Sequence, residues 1–210
     1  MNIQVFQLGP IETNCTVLWA DPSKAWIVDP GADPEIVKDF LDSNGLKPSL
    51  VIATHGHFDH IGGVPALLES YEGLEFHIAA GDEPMIGHPD NAWPPYYPRI
   101  EKPAKVFADL VDGMALENGA LSAKVIATPG HTPGGVCLYF EKENLLLSGD
   151  TLFAGSCGRT DFPGGSMPVL MASLGRLAVL PLETRVIPGH GPETSIRQEL
   201  ESNPYLEDAT

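Results

Sequence analysis

The sequence predicts an α/β fold, and three observations carry that expectation. Short, nearly continuous apolar runs such as "SLVIAT" (49–54) and "LLLSGD" (145–150) read as buried strands. Two longer stretches, after "PGAD" and over 167–180, repeat apolar residues at helical spacing. Turn residues separate these runs from one end to the other, so the strands are paired locally in places and joined through helices in others.

The elements follow in order. "IQVFQL" (3–8), "CTVLW" (15–19) and "AWIVD" (25–29) read as strands, with "DPS" as the turn between the last two. Asp33 caps the first helix with Pro34 at its first position; Ile36, Val37, Phe40 and Leu41 share a face, and Gly45 stops it. "SLVIAT" is the next strand, followed by a helix at 64–71 and a strand around Phe76–Ala79. "LSAKVIATPGH" (121–131), "GVCLYF" (135–140) and "LLLSGD" (145–150) are apolar strands, two of them running into a glycine-containing turn and a polar residue. Val169, Leu170, Leu174, Leu177 and Leu180 mark the helix over 167–180, and "TRVIPGH" (184–190) is a last strand ending in histidine. The segment "MIGHPDNAWPPYYPRIEKP" (85–103) has neither period and is too long for a routine connection, which suggests a functional loop.

Composition excludes several function classes. The chain has 210 residues, enough for a substantial core, with no repeat or linker to divide it; a single domain spanning 1–210 is expected. The net charge of −16, with only 12 Lys and Arg, argues against a nucleic-acid partner, whose phosphates require clustered cations. No apolar run reaches the roughly 18 residues of a membrane span, so no membrane partner is expected. The N-terminus lacks the basic start and apolar centre of a signal peptide, and Cys15, Cys137 and Cys157 form no disulfide or Cys-x-x-Cys pattern. Together these predict a cytoplasmic protein in a reducing compartment.

The chemistry concentrates in the histidines. Of seven in the chain, three lie within "THGHFDH" (54–60), at the end of a strand. His55 and His57 are two apart and can point to the same side. Asp59 and His60 follow where the chain turns into a helix. "TPGHTPGG" supplies His131, "LLLSGD" supplies Asp150 and "VIPGHG" supplies His190, again at or just past strand ends, where sites assemble in α/β sheets. Imidazole and carboxylate together ligate zinc, iron or manganese. Seven such groups exceed what one tetrahedral ion takes and suit two divalent ions sharing a carboxylate, with zinc favoured and iron or manganese as alternatives. Such a pair carries more positive charge than two aspartates and a bridging hydroxide remove, and so attracts an oxyanion. Gly130, Gly149 and Gly189, each just before a ligand, permit the tight backbone that aims it. His77 and His88 fall outside the pattern and read as non-ligands; Cys157 reads as a structural thiol.

"THGHFDH", then "TPGHTPG", "SGDTLF" and "IPGHG" in that order, resemble the metallo-β-lactamase superfamily over essentially the whole chain. The resemblance implies a four-layer αββα sandwich with the metals at one edge of its two sheets. It also implies an allocation of ligands: His55, His57 and His131 on the first ion, Asp59, His60 and His190 on the second, and Asp150 bridging. Two ions about 3.5–4 Å apart generate a hydroxide nucleophile at neutral pH, which suits hydrolysis of an ester, thioester, amide or phosphodiester. Asp59, and Asp150 with it, is then catalytic as well as a ligand, because it orients that hydroxide.

Within the superfamily the chain is most similar to the short bacterial type of glyoxalase II, the hydroxyacylglutathione hydrolases, through "GDTLFAGSCGRTDFPGG" (149–165), "IPGHGPETSI" and "SNPYL" (202–206). That likeness implies a thioester substrate such as S-D-lactoylglutathione, with Arg159 as the anchor for an anionic group. Longer glyoxalase II enzymes continue into a helical region that contacts glutathione, and the likeness here runs without it, so a broader range of acyl thioesters is expected. Trp93, Tyr96 and Tyr97, dense within the aperiodic segment, are expected to cover the substrate. Two alternatives share the motifs. A persulfide dioxygenase would use one iron held by two histidines and an aspartate, and "CGRTDF" suits it, whereas "IPGHGPE" favours the hydrolase. A lactonase would use the same two ions.

Overall fold

The computed structural model describes residues 1–207. Its first part runs β1 (Asn2–Leu8), β2 (Thr13–Trp19), β3 (Ala25–Val28), α1 (Pro34–Ser43), β4 (Pro48–Ile52), α2 (Phe58–Ile61), α3 (Val64–Ser70) and β5 (Glu75–His77). After a long irregular segment come β6 (Ala115–Asn118), β7 (Leu121–Ala127), β8 (Val136–Phe140), β9 (Leu145–Gly149), β10 (Leu152–Phe153) and β11 (Ser156–Cys157). The chain closes with α4 (Met167–Ala178), β12 (Arg185–Pro188), β13 (Thr194–Ser195), α5 (Ile196–Ser202) and α6 (Pro204–Glu207). No helix among the described residues is long and apolar enough to cross a membrane.

The strands form two sheets, of order β1-β2-β3-β4-β5 and β13-β12-β9-β8-β7-β6, with β10 and β11 as a separate hairpin. β3, β4 and β5 run parallel, as do β9 and β12; the other pairings are antiparallel. Alternation along the strands builds three cores at once. On β3, Trp26 and Val28 face the second sheet while Ala25 and Ile27 face α1 and α3. On β8, Leu138 and Phe140 face the first sheet while Cys137 and Tyr139 meet the C-terminal helices. Trp26 and Phe140 touch across the middle layer with ring centroids 5.9 Å apart. Val37, Leu41 and Leu67 seal one outer face and Leu170, Leu174 and Leu177 the other. Each such side chain, fully buried, contributes about 1.5–3 kcal/mol. The result is the four-layer αββα sandwich.

The structure corrects some local expectations. Asp33 stands at the N-cap position of α1 but makes no capping bond; its φ is +46°, and its Oδ2 accepts from the Gly9 amide instead. Ile36 and Val169 are exposed. Each is turned about 100° from its helix's buried stripe, Val37–Leu41 in α1 and Leu170–Leu174–Leu177 in α4. The periodicity also left β6, the β10–β11 hairpin, β13, α5 and α6 unread, because all are short or sit half-exposed at an edge.

Two sheets in contact bring their strand ends to one edge. Asn14, in β2, ties them there: its amide nitrogen donates to the Gly189 carbonyl (2.7 Å), and its side-chain Nδ2 donates to the carbonyls of Pro188 and Gly191 (2.9 Å each).

Candidate metal centre

All seven histidine and aspartate ligand candidates converge on that edge. His55 and His57 lie in the loop leaving β4, and Asp59 and His60 in the single turn of α2; His131 follows β7, Asp150 follows β9 and His190 follows β12. Their ligand atoms form three overlapping groups, each with all atoms within 4.8 Å: His55, His57 and His131; His55, His60 and Asp150; Asp59, His60 and His190. Asp150 occupies the middle. Its Oδ1 is 3.4 Å from His60 Nε2, and its Oδ2 is 3.5 Å from His131 Nε2 and 3.6 Å from His190 Nε2.

The donor set fits cations. His55 Nε2, His60 Nε2 and Asp150 Oδ1 are buried without a hydrogen-bond partner, an arrangement that costs several kcal/mol per site (about 1–3 for each group) unless something else satisfies them. Outer bonds fix the tautomers. His131 Nδ1 donates to the Arg159 carbonyl (2.7 Å) and His190 Nδ1 donates to the Ile11 carbonyl (3.0 Å), which leaves Nε2 of each ring as the atom facing the cluster. Burial and neighbouring rings hold His55 well below the usual imidazole range, and burial brings His57 down to about 3. Both therefore stay neutral, as metal ligation requires. At the other end, burial works against charge on His60 but is outweighed by Asp59, Asp150 and Asp29, which raise it well above its ordinary value. Burial likewise opposes the charge on Asp59, yet His60 and His190 hold it well below the usual carboxylate range. Burial raises Asp150. A cluster this rich in carboxylate draws positive charge.

Residues that sequence reasoning passed over hold the ligands. Asp29, just past β3 at φ +55°, accepts from the Thr54 amide and hydroxyl (2.7 Å each) and lies 3.0 Å from His60 Nδ1. Asp82 accepts from the Gly56 amide (2.9 Å), the Thr132 hydroxyl (2.6 Å) and the Gly134 amide (2.6 Å), joining the loop of His55 and His57 to that of His131. Asn91 accepts from the Phe58 amide (3.0 Å) and donates to the carbonyls of Gly56 (2.8 Å) and Met85 (3.0 Å). The Thr13 hydroxyl donates to Asp59 Oδ2 (3.2 Å). Asp29 had a readable signal, since "IVD" repeats the strand-then-aspartate pattern of "LLLSGD". Asp82 and Asn91 had none. Glycine is required at position 189, where a Cβ would collide with Asp150 Oδ1, and at 149, where φ is +48° and a Cβ would meet the Thr54 side chain.

A cavity of about 720 Å³ opens over the cluster, walled by Ile11, Phe58, Trp93, Phe153, Arg159 and Phe162 with the ligands at its floor. Arg159 is exposed, paired through both nitrogens with Asp161 (2.6 Å each), and its guanidinium sits 4.0 Å over the Phe162 ring. The aromatic cover is corrected in part. Trp93, 44% exposed, lines the cavity, but Tyr96 is 59% exposed and lies outside it, and Tyr97 is 2% exposed and packs on Phe58 at 4.9 Å. In a short turn whose ends pair through Trp93 and Tyr97, successive residues face different ways. The β10–β11 hairpin supplies Phe153, Ser156 and Cys157 to the wall. Buried Glu199 of α5 accepts from the Gly155 amide (2.8 Å), and Asn203 donates to the Ser156 carbonyl (2.9 Å), so the C-terminal helices hold that wall in place. Burial raises the Cys157 thiol, which keeps it protonated. His77 stacks on Phe107 and bonds Asp109 at 2.9 Å, and His88 is exposed in the irregular segment; neither joins the cluster.

Comparison with known proteins agrees with the fold. The profile of the metallo-β-lactamase superfamily matches residues 8–190. The hydroxyacylglutathione hydrolase GloC of Haemophilus influenzae is 32% identical over 98% of this chain and 98% of its own length. The crystal structure of the BLEG-1 B3 metallo-β-lactamase superposes with a TM-score of 0.90 at 38% identity, covering 98% of this chain and 99% of that one. A second structure, TTHA1623 in a di-iron-bound form, gives a TM-score of 0.85 at 36% identity over 96% of this chain and 99% of that one.

Proposed function

Because the chain belongs to the metallo-β-lactamase superfamily, we propose that it is a metal-dependent hydrolase, and specifically a binuclear thioester hydrolase of the glyoxalase II kind. S-D-lactoylglutathione or a related acyl thioester is its substrate. The observation that carries the reading is the chain of three overlapping ligand groups with Asp150 at its centre, reaching toward ligands at both ends. His55, His57 and His131 would hold one divalent ion, Asp59, His60 and His190 the other, and Asp150 both. Bound there, the ions supply a nucleophile made from water at neutral pH and polarise the carbonyl under attack.

The chain's own residues do the rest. Asp59, steadied by the Thr13 hydroxyl, accepts the proton side of the attacking water and keeps its lone pair turned toward the carbonyl. The wall of Phe153, Phe162 and Trp93 excludes bulk water from the floor of the cavity. Arg159 at the mouth offers its fork to an anionic group on the substrate, in exchange for its exposed partner Asp161. Outside the ligand set, the titratable side chains lining the cavity are Asp90, Cys157 and Arg159, a poor supply of general acid. That suits a leaving group able to depart as an anion, and a thiolate, with a thiol pKa of about 8.5, is one. The haemophilus relative named as a hydroxyacylglutathione hydrolase supports the same substrate class.

The test is hydrolysis of S-D-lactoylglutathione by protein whose metal content is measured on the same sample. Turnover is expected to follow occupancy by two ions and to vanish in Asp59→Ala. Fully occupied protein with no turnover removes S-D-lactoylglutathione as the substrate and points to another thioester or a lactone. One iron per chain with thiol-dependent oxygen uptake replaces it with the dioxygenase chemistry.

A further inference from the structure

Phe162 stands between two hollows. On one side its ring carries the Arg159 guanidinium and borders the cavity over the metal centre. On the other side a second hollow, of about 410 Å³, runs between Pro84, Met85 and Pro163. The two adjoin, because His57, Phe58, Asp90 and Phe162 line both. The His57 and Phe162 rings meet edge to face with centroids 5.7 Å apart, so the boundary between the two hollows includes a candidate ligand of the metal centre.

The second hollow has a different chemistry from the first. Its walls are the rings of Phe58 and Phe162, two prolines and the flexible thioether of Met85, which adapts to irregular apolar shapes. No Lys or Arg lines it among the described residues, and at its rim stand His88 and Asp90, with side chains 56% and 90% exposed. An anionic group would meet the Asp90 carboxylate there and find no cation. An uncharged apolar group would leave water for apolar surface. Asn91, the main polar residue of the wall, spends its amide on the carbonyls of Gly56 and Met85 and its oxygen on the Phe58 amide, so it offers little to a polar ligand.

We propose that this hollow is a subsite for an uncharged apolar acyl arm of the substrate. The inference rests on the hydrolytic reading of the metal centre and deepens it. With the scissile carbonyl over the ligand cluster, the thiol half extends toward Arg159 and the acyl half passes Phe162 into the space beside Met85. The preferred substrate is then a thioester of a longer aliphatic or aromatic acid, and a short hydroxyacyl group such as lactoyl leaves the subsite empty.

The experiment uses zinc-loaded protein and one thiol, glutathione, with two acyl groups. S-hexanoylglutathione is expected to be hydrolysed with a kcat/KM about tenfold above that of S-D-lactoylglutathione, as burial of several methylenes predicts. In Met85→Glu that ratio is expected to fall to about one, and in Met85→Ala to an intermediate value; Met85 is half-buried at the surface, so both variants should fold. A parent enzyme that prefers lactoyl, or a ratio unchanged in Met85→Glu, overturns the subsite. A binding measurement separates this from the catalytic reading. The thioether S-hexylglutathione, which cannot be hydrolysed, is expected to bind about tenfold tighter than S-methylglutathione by calorimetry, and Met85→Glu should erase the difference. If no thioester is hydrolysed but the hexyl preference holds, the hydrolytic reading falls and the apolar subsite stands. If hydrolysis proceeds and the two thioethers bind alike, the subsite falls and the hydrolase stands.

Discussion

At one end of the ligand cluster, His55, His57 and His131 meet as three imidazoles; at the other, Asp59, His60 and His190 meet with Asp29 directly behind them. In the first group, burial chiefly pushes His55 and His57 down and keeps those two rings neutral. In the second, carboxylates around His60 outweigh the same burial and favour positive charge there, carried by a ring proton or by a metal ion in its place. Two equally buried rings, His55 and His60, are thus shifted in opposite directions. The difference lies in which neighbours the fold brings near: rings at one end, carboxylates at the other. A cation at the first group would meet three rings and Asp150, and one at the second would meet more carboxylate, Asp59 as well as Asp150 with Asp29 behind.

The comparison can be broken at its root. Dialysis against a strong chelator should abolish thioester hydrolysis, and added zinc should restore it; full activity in protein with no measurable metal would end the argument for both groups. A finer cut removes one group at a time. His57 and His190 each belong to a single group, so His57→Ala and His190→Ala should each leave about one ion per chain and lower kcat by more than about 100-fold. Loss of both ions in either variant would mean that the two groups bind as one.

Residues behind the ligands give a smaller contrast. Asp29→Asn should weaken the aspartate-rich end by about 10–100-fold in zinc titration, since it removes the charge beside His60 Nδ1. Asp82→Asn touches no ligand and replaces the acceptor of two amides and a hydroxyl, so it should show mainly as about 1–3 kcal/mol of stability lost in urea. The smallest metal effect is expected from Glu199→Gln. It should cost about 1–3 kcal/mol through the bonds to Thr194, Gly155 and Asn203, with metal content at the parent level. A drop in metal content there would show that the hairpin wall also supports the centre.

How far the sequence could be read depended on the range of the interaction. The strands that form the middle of both sheets were legible, because burial on both faces makes them continuous apolar runs. The short α5 was not found, although Ser195 accepting from the Gln198 amide is a capping signal present in "SIRQ". Trp93 and Tyr97 show the limit of composition. The segment's aromatic density was visible, but the direction of each ring is set by the turn that pairs Trp93 with Tyr97 and by Phe58 beneath it.

The sequence alone determined the ligand types and their places at strand ends, because each ligand motif is local: a strand, a glycine-containing turn and a polar residue within a few positions. Only the tertiary structure decided which ligands share a group, that Asp150 stands between the two ends, and that Asp29 and Asp82 brace them. It also decided that a second, apolar hollow adjoins the cavity at Phe162. Those features depend on residues 25 to 130 positions apart in the chain meeting within one sheet, as Asp29 and Thr54 do, or across the two packed sheets, as His60 and His190 do, and no local pattern encodes such a meeting.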